Sequence, residues 1–150
     1  MPTDDHQWMG VAIDLSRQCP PASSAYSVGA VIVDTEGQEI TRGYSRESDP
    51  TVHAEEAAFA KVTDTDRARL GGATLYTTLE PCSQRVSRPT PCVHLALAAG
   101  IARVVLAWRE PSLFVADCRG VELLQAAGVQ VVELDDLAEQ ARAVNANLAI

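Results

Sequence analysis

Arg103-Val104-Val105-Leu106-Ala107-Trp108 reads as a strand, and what brackets it decides the fold. Before it, Cys92 to Ala99 is a short Ala/Leu-rich helix closed by Gly100. After it, Gly120 to Ala127 has a helical pattern that ends at Gly128. A strand from Ala73 to Leu79 lies upstream of the first helix, and another from Val129 to Glu133 downstream of the second. Strands separated in this way by single helices are predicted to lie parallel, joined by right-handed crossovers. Ligands of such sheets collect at the carboxyl ends of the strands. The Ala73 strand runs at that end straight into Glu80-Pro81-Cys82.

Upstream of this core, residues 5–18 place Trp8, Met9, Ala12, Ile13 and Leu15 mostly on one stripe, as in an amphipathic helix. Cys19-Pro20-Pro21 ends it, because proline cannot continue the hydrogen-bond ladder. Val28 to Val33 is a continuous apolar run that suits a strand buried on both faces. Asp34-Thr35-Glu36-Gly37 turns the chain, and Glu39 to Tyr44 returns as an antiparallel partner. A helix is expected from about His53 to Val62, and a last one from a cap at Asp135 towards Leu148. The expected architecture is α/β: three layers, α/β/α, around a five-stranded mixed sheet, with residues 1–150 as a single domain. The length suits one ordinary core, and a 47% apolar share excludes intrinsic disorder.

A net charge of −8 repels nucleic acid and anionic lipid, so small molecules are the expected partners. No apolar run approaches the roughly 18 residues of a membrane span. Met1 to Gly10 lacks a basic stretch followed by an apolar one, so the expected location is the cytoplasm. There the four cysteines, Cys19, Cys82, Cys92 and Cys118, suit metal ligands or buried thiols better than disulfides. Only Cys82 and Cys92 share a context, each directly following a proline.

His53-Ala54-Glu55 opens one helix, and Cys82 and Cys92 introduce the next. One imidazole and two thiolates are the ligand set of a catalytic zinc, one per chain, with a fourth position left for water. Two thiolates neutralise the ion, so the oxygen it holds is electron-rich and a nearby carboxylate can take the water's proton. Glu55, two residues after His53, is placed for that task. Glu56 leaves the helix about 100° away and is expected to be a solvated position.

His-x-Glu followed by Pro-Cys and a second Cys is the signature of the zinc deaminases. With Val28-Gly29-Ala30-Val31, it gives the chain a resemblance to the cytidine-deaminase-like superfamily over nearly its whole length. The resemblance implies His53, Cys82 and Cys92 as zinc ligands and Glu55 as proton shuttle. It also implies attack of a metal-held hydroxide on an amidine carbon, with ammonia released. The usual spacing between the cysteines is two residues, whereas here nine intervene, Ser83 to Pro91. Thr78-Leu79-Glu80-Pro81-Cys82-Ser83 and Arg88-Pro89-Thr90-Pro91-Cys92 are similar to the pyrimidine deaminase of riboflavin biosynthesis. Glu110-Pro111-Ser112-Leu113, Val115, Gly120 and Ala127-Gly128 follow that family's later pattern. The resemblance implies that Ala54 N–H and the Ser83 region hold the ring of the substrate, and that Arg88 binds it. It further implies a homodimer or larger homo-oligomer.

Four departures stand out. Ala25-Tyr26 replaces the family's Asn-Pro, Gln84 its loop histidine, and Arg46 another histidine, and the loop is one residue longer. These changes predict that the riboflavin intermediate fits poorly. The expected function is therefore hydrolytic deamination of a small pyrimidine-type amino-heterocycle. The alternatives are a free nucleobase, nucleoside or nucleotide (of cytosine, cytidine, dCMP or guanine type) as substrate, or a zinc-stabilised binding protein without activity. Glu55 argues against the last, since a structural site needs no such carboxylate. Trp108 and Phe114 flank the loop after the Arg103 strand and are candidates for stacking on the substrate as well as for packing. Arg46, Arg85 and Arg88 lie on loops aimed at the site, and Arg46 joins the candidate substrate residues. His94 and Cys118 are the competing fourth ligands, Cys19 is read as structural, and Glu80 suits either a strand end or a hydrogen bond behind Cys82.

Overall fold

A computed structural model describes residues 2–22, 25–82, 91–109 and 119–146. Chain order gives α1 (Pro2–Ser16), β1 (Gly29–Val33), β2 (Glu39–Tyr44), α2 (Ala54–Ala60), β3 (Thr74–Leu79), α3 (Cys92–Ala98), β4 (Arg103–Trp108), α4 (Gly120–Ala126), β5 (Gln130–Glu133) and α5 (Ala138–Ala143). The sheet has five strands in the order β2-β1-β3-β4-β5. β1 pairs antiparallel with β2 and with β3, whereas β3–β4 and β4–β5 are parallel. The expected mixed sheet and its parallel half are both present.

The apolar runs of β1 and β4 are buried along nearly their whole length, as central strands covered on both faces must be. α1 and α5 pack together on one face, with Met9, Ala12 and Ile13 of α1 fully in the core. α2, α3 and α4 adjoin in series on the other. Close approach sets where α2 begins. A Cβ on Gly43 of β2 would stand 2.5 Å from Ala54 O and 2.7 Å from Ala58 N, so only glycine lets this helix lie so near the strand.

At the amino ends of the parallel strands, Asp5 of α1 accepts hydrogen bonds from Arg103 (2.9 and 2.6 Å) and from the Tyr76 hydroxyl (2.7 Å). Arg103 and the Tyr76 hydroxyl hold the Asp5 carboxyl below its usual range, against the opposing effect of burial. This cluster fastens α1 to β3 and β4 at the sheet end opposite Cys82.

α2 ends at Ala60, short of the expected Val62, and two helix starts also differ from expectation. α1 begins at Pro2 instead of residue 5, because proline is tolerated in a first helical turn. The last helix does not start from a cap at Asp135. Leu134 N–H instead bonds to Leu106 O, and a 3-10 turn over Asp135–Leu137 precedes the six-residue α5. Neither helix start there has a side-chain cap, since the N-cap residues are Leu134 and Leu137, whose side chains carry no hydrogen-bond acceptor.

Candidate active site

His53 stands at the N-cap of α2 in extended conformation (φ −87°, ψ 159°). Its Nδ1 lies 3.6 Å from Cys82 Sγ and 3.4 Å from Cys92 Sγ. Cys82 ends the turn that leaves β3, and Cys92 is the first residue of α3. The three ligand atoms lie within 4.8 Å of one another, and both cysteines are buried. For a tetrahedral zinc with Zn–N about 2.0–2.1 Å and Zn–S about 2.3 Å, N···S separations of about 3.5–3.6 Å are required. The observed pair fits, and this donor set can hold one metal ion.

The backbone prepares the thiols. Cys92 N–H donates to Cys82 Sγ (3.2 Å), and Val93 N–H donates to Cys82 O (3.1 Å), so the Cys82 turn closes the first turn of α3. The adjoining Cys92 thiol, and then His53 and the Cys92 N–H, outweigh burial and pull the Cys82 thiol down to about 5. A thiolate, the form that binds metal, is thus favoured at neutral pH.

Glu55 is in the first turn of α2 and only 4% exposed. Ala54 is fully buried beside it, and as the first helical residue its N–H has no acceptor within the helix. Glu56 departs from expectation. It is half-buried, and its Oε1 accepts the His53 N–H at 3.0 Å, so it holds the backbone of the N-cap. Its third position in the helix, counted from His53, was the available signal: a side chain there reaches back over the first turn. Glu80 is also buried, and its Oε2 accepts the Val121 N–H (2.9 Å) at the start of α4.

Arg46 has φ +61°, and its guanidinium donates to Pro20 O, Tyr26 O and Ser27 Oγ at 2.8–3.0 Å. It therefore braces the segment before β1, which is where the structure directs this candidate substrate residue. Asn145, missed in the sequence, clamps the same segment: Ser27 N–H donates to its Oδ1 (2.6 Å), and its Nδ2 donates to Ser27 O (3.1 Å). Trp108 packs edge-on against Tyr26, with the Arg142 guanidinium over its ring, and is buried. Among the described residues, its Nε1 is a buried donor with no hydrogen-bond partner. His94 is exposed on α3 and stands outside the ligand group. Cys19 lies 3.5 Å from Val28 O, and burial pushes its thiol up. Ser83, Gln84, Arg85, Arg88, Phe114 and Cys118 fall outside the described residues.

Comparison with known proteins bears on this geometry. The model of the cytidine and deoxycytidylate deaminase zinc-binding region matches residues 2–108. A diaminohydroxyphosphoribosylamino-pyrimidine deaminase of Schizosaccharomyces pombe is 41% identical over 133 residues, covering 88% of this chain and 32% of that protein. A riboflavin biosynthesis protein RibD of Aquifex aeolicus is 34% identical, covering 94% of this chain and 37% of the relative. The chain thus spans about a third of the length of these curated relatives. Among solved structures, Acinetobacter baumannii RibD superposes with a TM-score of 0.80 at 31% identity over 95% of this chain and 38% of the other. The Rib2 deaminase of Aspergillus oryzae, 23% identical, shares the fold with a TM-score of 0.79 over 94% of this chain and 89% of its own.

Proposed function

Because the chain belongs to the zinc-binding cytidine and deoxycytidylate deaminase family, we propose that it is a hydrolytic deaminase of a pyrimidine-type amino-heterocycle. The observation that carries this reading is the convergence of His53 Nδ1, Cys82 Sγ and Cys92 Sγ at zinc-ligand spacing, with the buried Glu55 carboxylate in the adjoining helical turn. His53, Cys82 and Cys92 are assigned as the ligands of one zinc. When bound, that ion supplies the Lewis acidity that makes water a nucleophile near neutral pH.

The chain's own residues account for the rest. Glu55 accepts the proton that the attacking water gives up and delivers it to the departing amino group. The overall change converts a ring C–NH2 and water into a carbonyl and ammonia. Ala54 N–H, at the start of α2, is assigned to the polar edge of the ring. Trp108 Nε1, which has no hydrogen-bond partner among the described residues, supports a role for that residue at the pocket wall, as a donor to substrate or to an ordered water. Ser83, Arg88 and Phe114 complete the proposed pocket, with Arg88 facing an anionic or carbonyl oxygen.

The relative that is 41% identical makes diaminohydroxyphosphoribosylamino-pyrimidine the first substrate to assign. A second reading, a different aminopyrimidine or its nucleoside or nucleotide, is favoured by Ala25, which offers no amide, and by the burial of Tyr26 beside it. Ammonia release across a panel of both kinds separates them. Turnover of the phosphoribosylamino-pyrimidine alone supports the first, and preference for cytosine, cytidine or dCMP the second. Release from none of them contradicts the deaminase reading.

Residues 1–150 are proposed to act as one deaminase domain. No described helix is long and apolar enough to cross a membrane. A cytoplasmic location, a homodimeric or larger assembly and the absence of nucleic-acid partners remain parts of this proposal. The charge of −8 supports the last of them.

A further inference from the structure

Glu80 is a carboxylate that the proposed reaction does not use, yet it is only 3% exposed. Burying such a group is costly unless hydrogen bonds hold it. Here Oε2 takes the Val121 N–H at 2.9 Å, one of the first N–H groups of α4, which have no acceptor inside the helix. Two residues further along the chain, Cys82 does the same for α3, its Sγ and carbonyl oxygen taking the Cys92 and Val93 N–H groups. The three-residue stretch Glu80-Pro81-Cys82 therefore closes the starts of two helices at once.

Gly120 completes the arrangement. A Cβ there would stand 2.1 Å from Pro81 O and 3.1 Å from Glu80 Cγ, so α4 presses its backbone directly on the turn. The Cys82 backbone is thus gripped from α3 by one bond and from α4 through Pro81. Resting on the zinc-site reading above, we infer that Glu80 is a positioning residue. By latching α4 to the end of β3 it fixes where Cys82 presents its sulfur to the metal.

Residues that orient metal ligands typically carry 10- to 100-fold of metal affinity. Glu80→Met, similar in bulk but without an acceptor, is expected to weaken zinc binding within that range, measured by competition with a chelator on the full chain. Glu80→Gln keeps an oxygen for the Val121 N–H and should retain affinity within about 3-fold. Gly120→Ala tests the latch from the other side and should also weaken zinc, because the added methyl group must displace the Pro81 carbonyl. Asp5→Asn is the control: it lowers thermal stability at the far end of the sheet and should leave zinc affinity unchanged. Cobalt substitution adds a spectroscopic readout, since the visible bands of the wild type should shift in Glu80→Met and stay in place in Asp5→Asn.

The inference is overturned if Glu80→Met binds zinc as the wild type does, or if Asp5→Asn loses as much affinity as Glu80→Met. If Glu80→Met does not fold, Glu80→Gln and Gly120→Ala decide the matter: wild-type affinity in Gly120→Ala, or in Glu80→Gln a loss as large as in Gly120→Ala, overturns it. Failure of the wild-type chain itself to bind zinc contradicts the underlying metal-site reading, a result distinguishable from failure of the latch.

Discussion

Glu56→Ala probes whether His53, the histidine proposed to bind zinc, is held by its backbone as well as by its ring. Glu56 Oε1 accepts the His53 N–H at 3.0 Å from a half-buried position. A hydrogen bond to a charged group is worth about 1.5–3 kcal/mol net, and loss of a helix cap costs about 0.5–2 kcal/mol. These ranges overlap at about 1.5–2 kcal/mol, the expected loss of stability in the metal-free protein. If that loss is felt wholly at His53, conversion at 1.4 kcal/mol per tenfold gives zinc binding weaker by at most about 10- to 30-fold. Glu56→Gln keeps the acceptor and loses only the charge, whose interaction with a helix start is worth about 0.3–1 kcal/mol. Thermal unfolding of metal-free protein and chelator competition for zinc measure both quantities. Glu56 does not hold His53 for the metal if Gln and Ala behave alike, or if Ala lowers stability while zinc affinity stays at the wild-type value.

Three further predictions follow from other parts of the structure. Glu55→Ala should keep zinc and fold but lower turnover by at least about 10²-fold; comparable turnover with one zinc bound would remove Glu55 from the proton path. Because the folded-state pKa of Asp5 is depressed, its cluster stabilises the protein above the unfolded value, about 3.9, and that contribution is lost as pH falls below it towards the folded one. The stability advantage of wild type over Asp5→Asn should therefore be full at pH 7 and shrink on acidification below about pH 4, as followed by denaturant titrations; an advantage that grows in acid would be inconsistent. Arg88→Ala should lower kcat/KM on the best substrate roughly 10- to 150-fold, the value of one charge-assisted hydrogen bond, without altering zinc content; unaltered kinetics would take Arg88 out of the pocket.

Much of the architecture was legible because its signals are local. The apolar runs at Val28–Val33 and Arg103–Trp108 mark central strands, and the helices between β3, β4 and β5 dictate a parallel arrangement. The convergence of His53, Cys82 and Cys92 was equally legible, since these residues are chemically distinctive and sit where loops meet helix starts. What escaped depends on partners distant in the chain or on reach along a helix. Asn145 clamps Ser27 across 118 positions, and no periodicity foretells that pairing. Arg46, read as a residue aimed at the site, is drawn instead to the carbonyls of Pro20 and Tyr26. Glu56 was placed on a solvated face by its angular offset, which neglects how far a side chain in the first helical turn reaches back to its cap. Glu80 revealed its partner only once α4 had been brought against the end of β3.

If one zinc held by His53, Cys82 and Cys92 makes this chain a deaminase, activity must follow metal occupancy. The direct measurement is ammonia release from an aminopyrimidine substrate while metal-free protein is titrated with zinc, the metal content being determined on the same samples. The rate should rise in proportion to bound zinc and level off at one equivalent per chain, and Cys92→Ser should lose both binding and rate together. Ammonia release that is complete without zinc, or that is absent from every aminopyrimidine at one full equivalent, would contradict zinc-dependent deamination at this site.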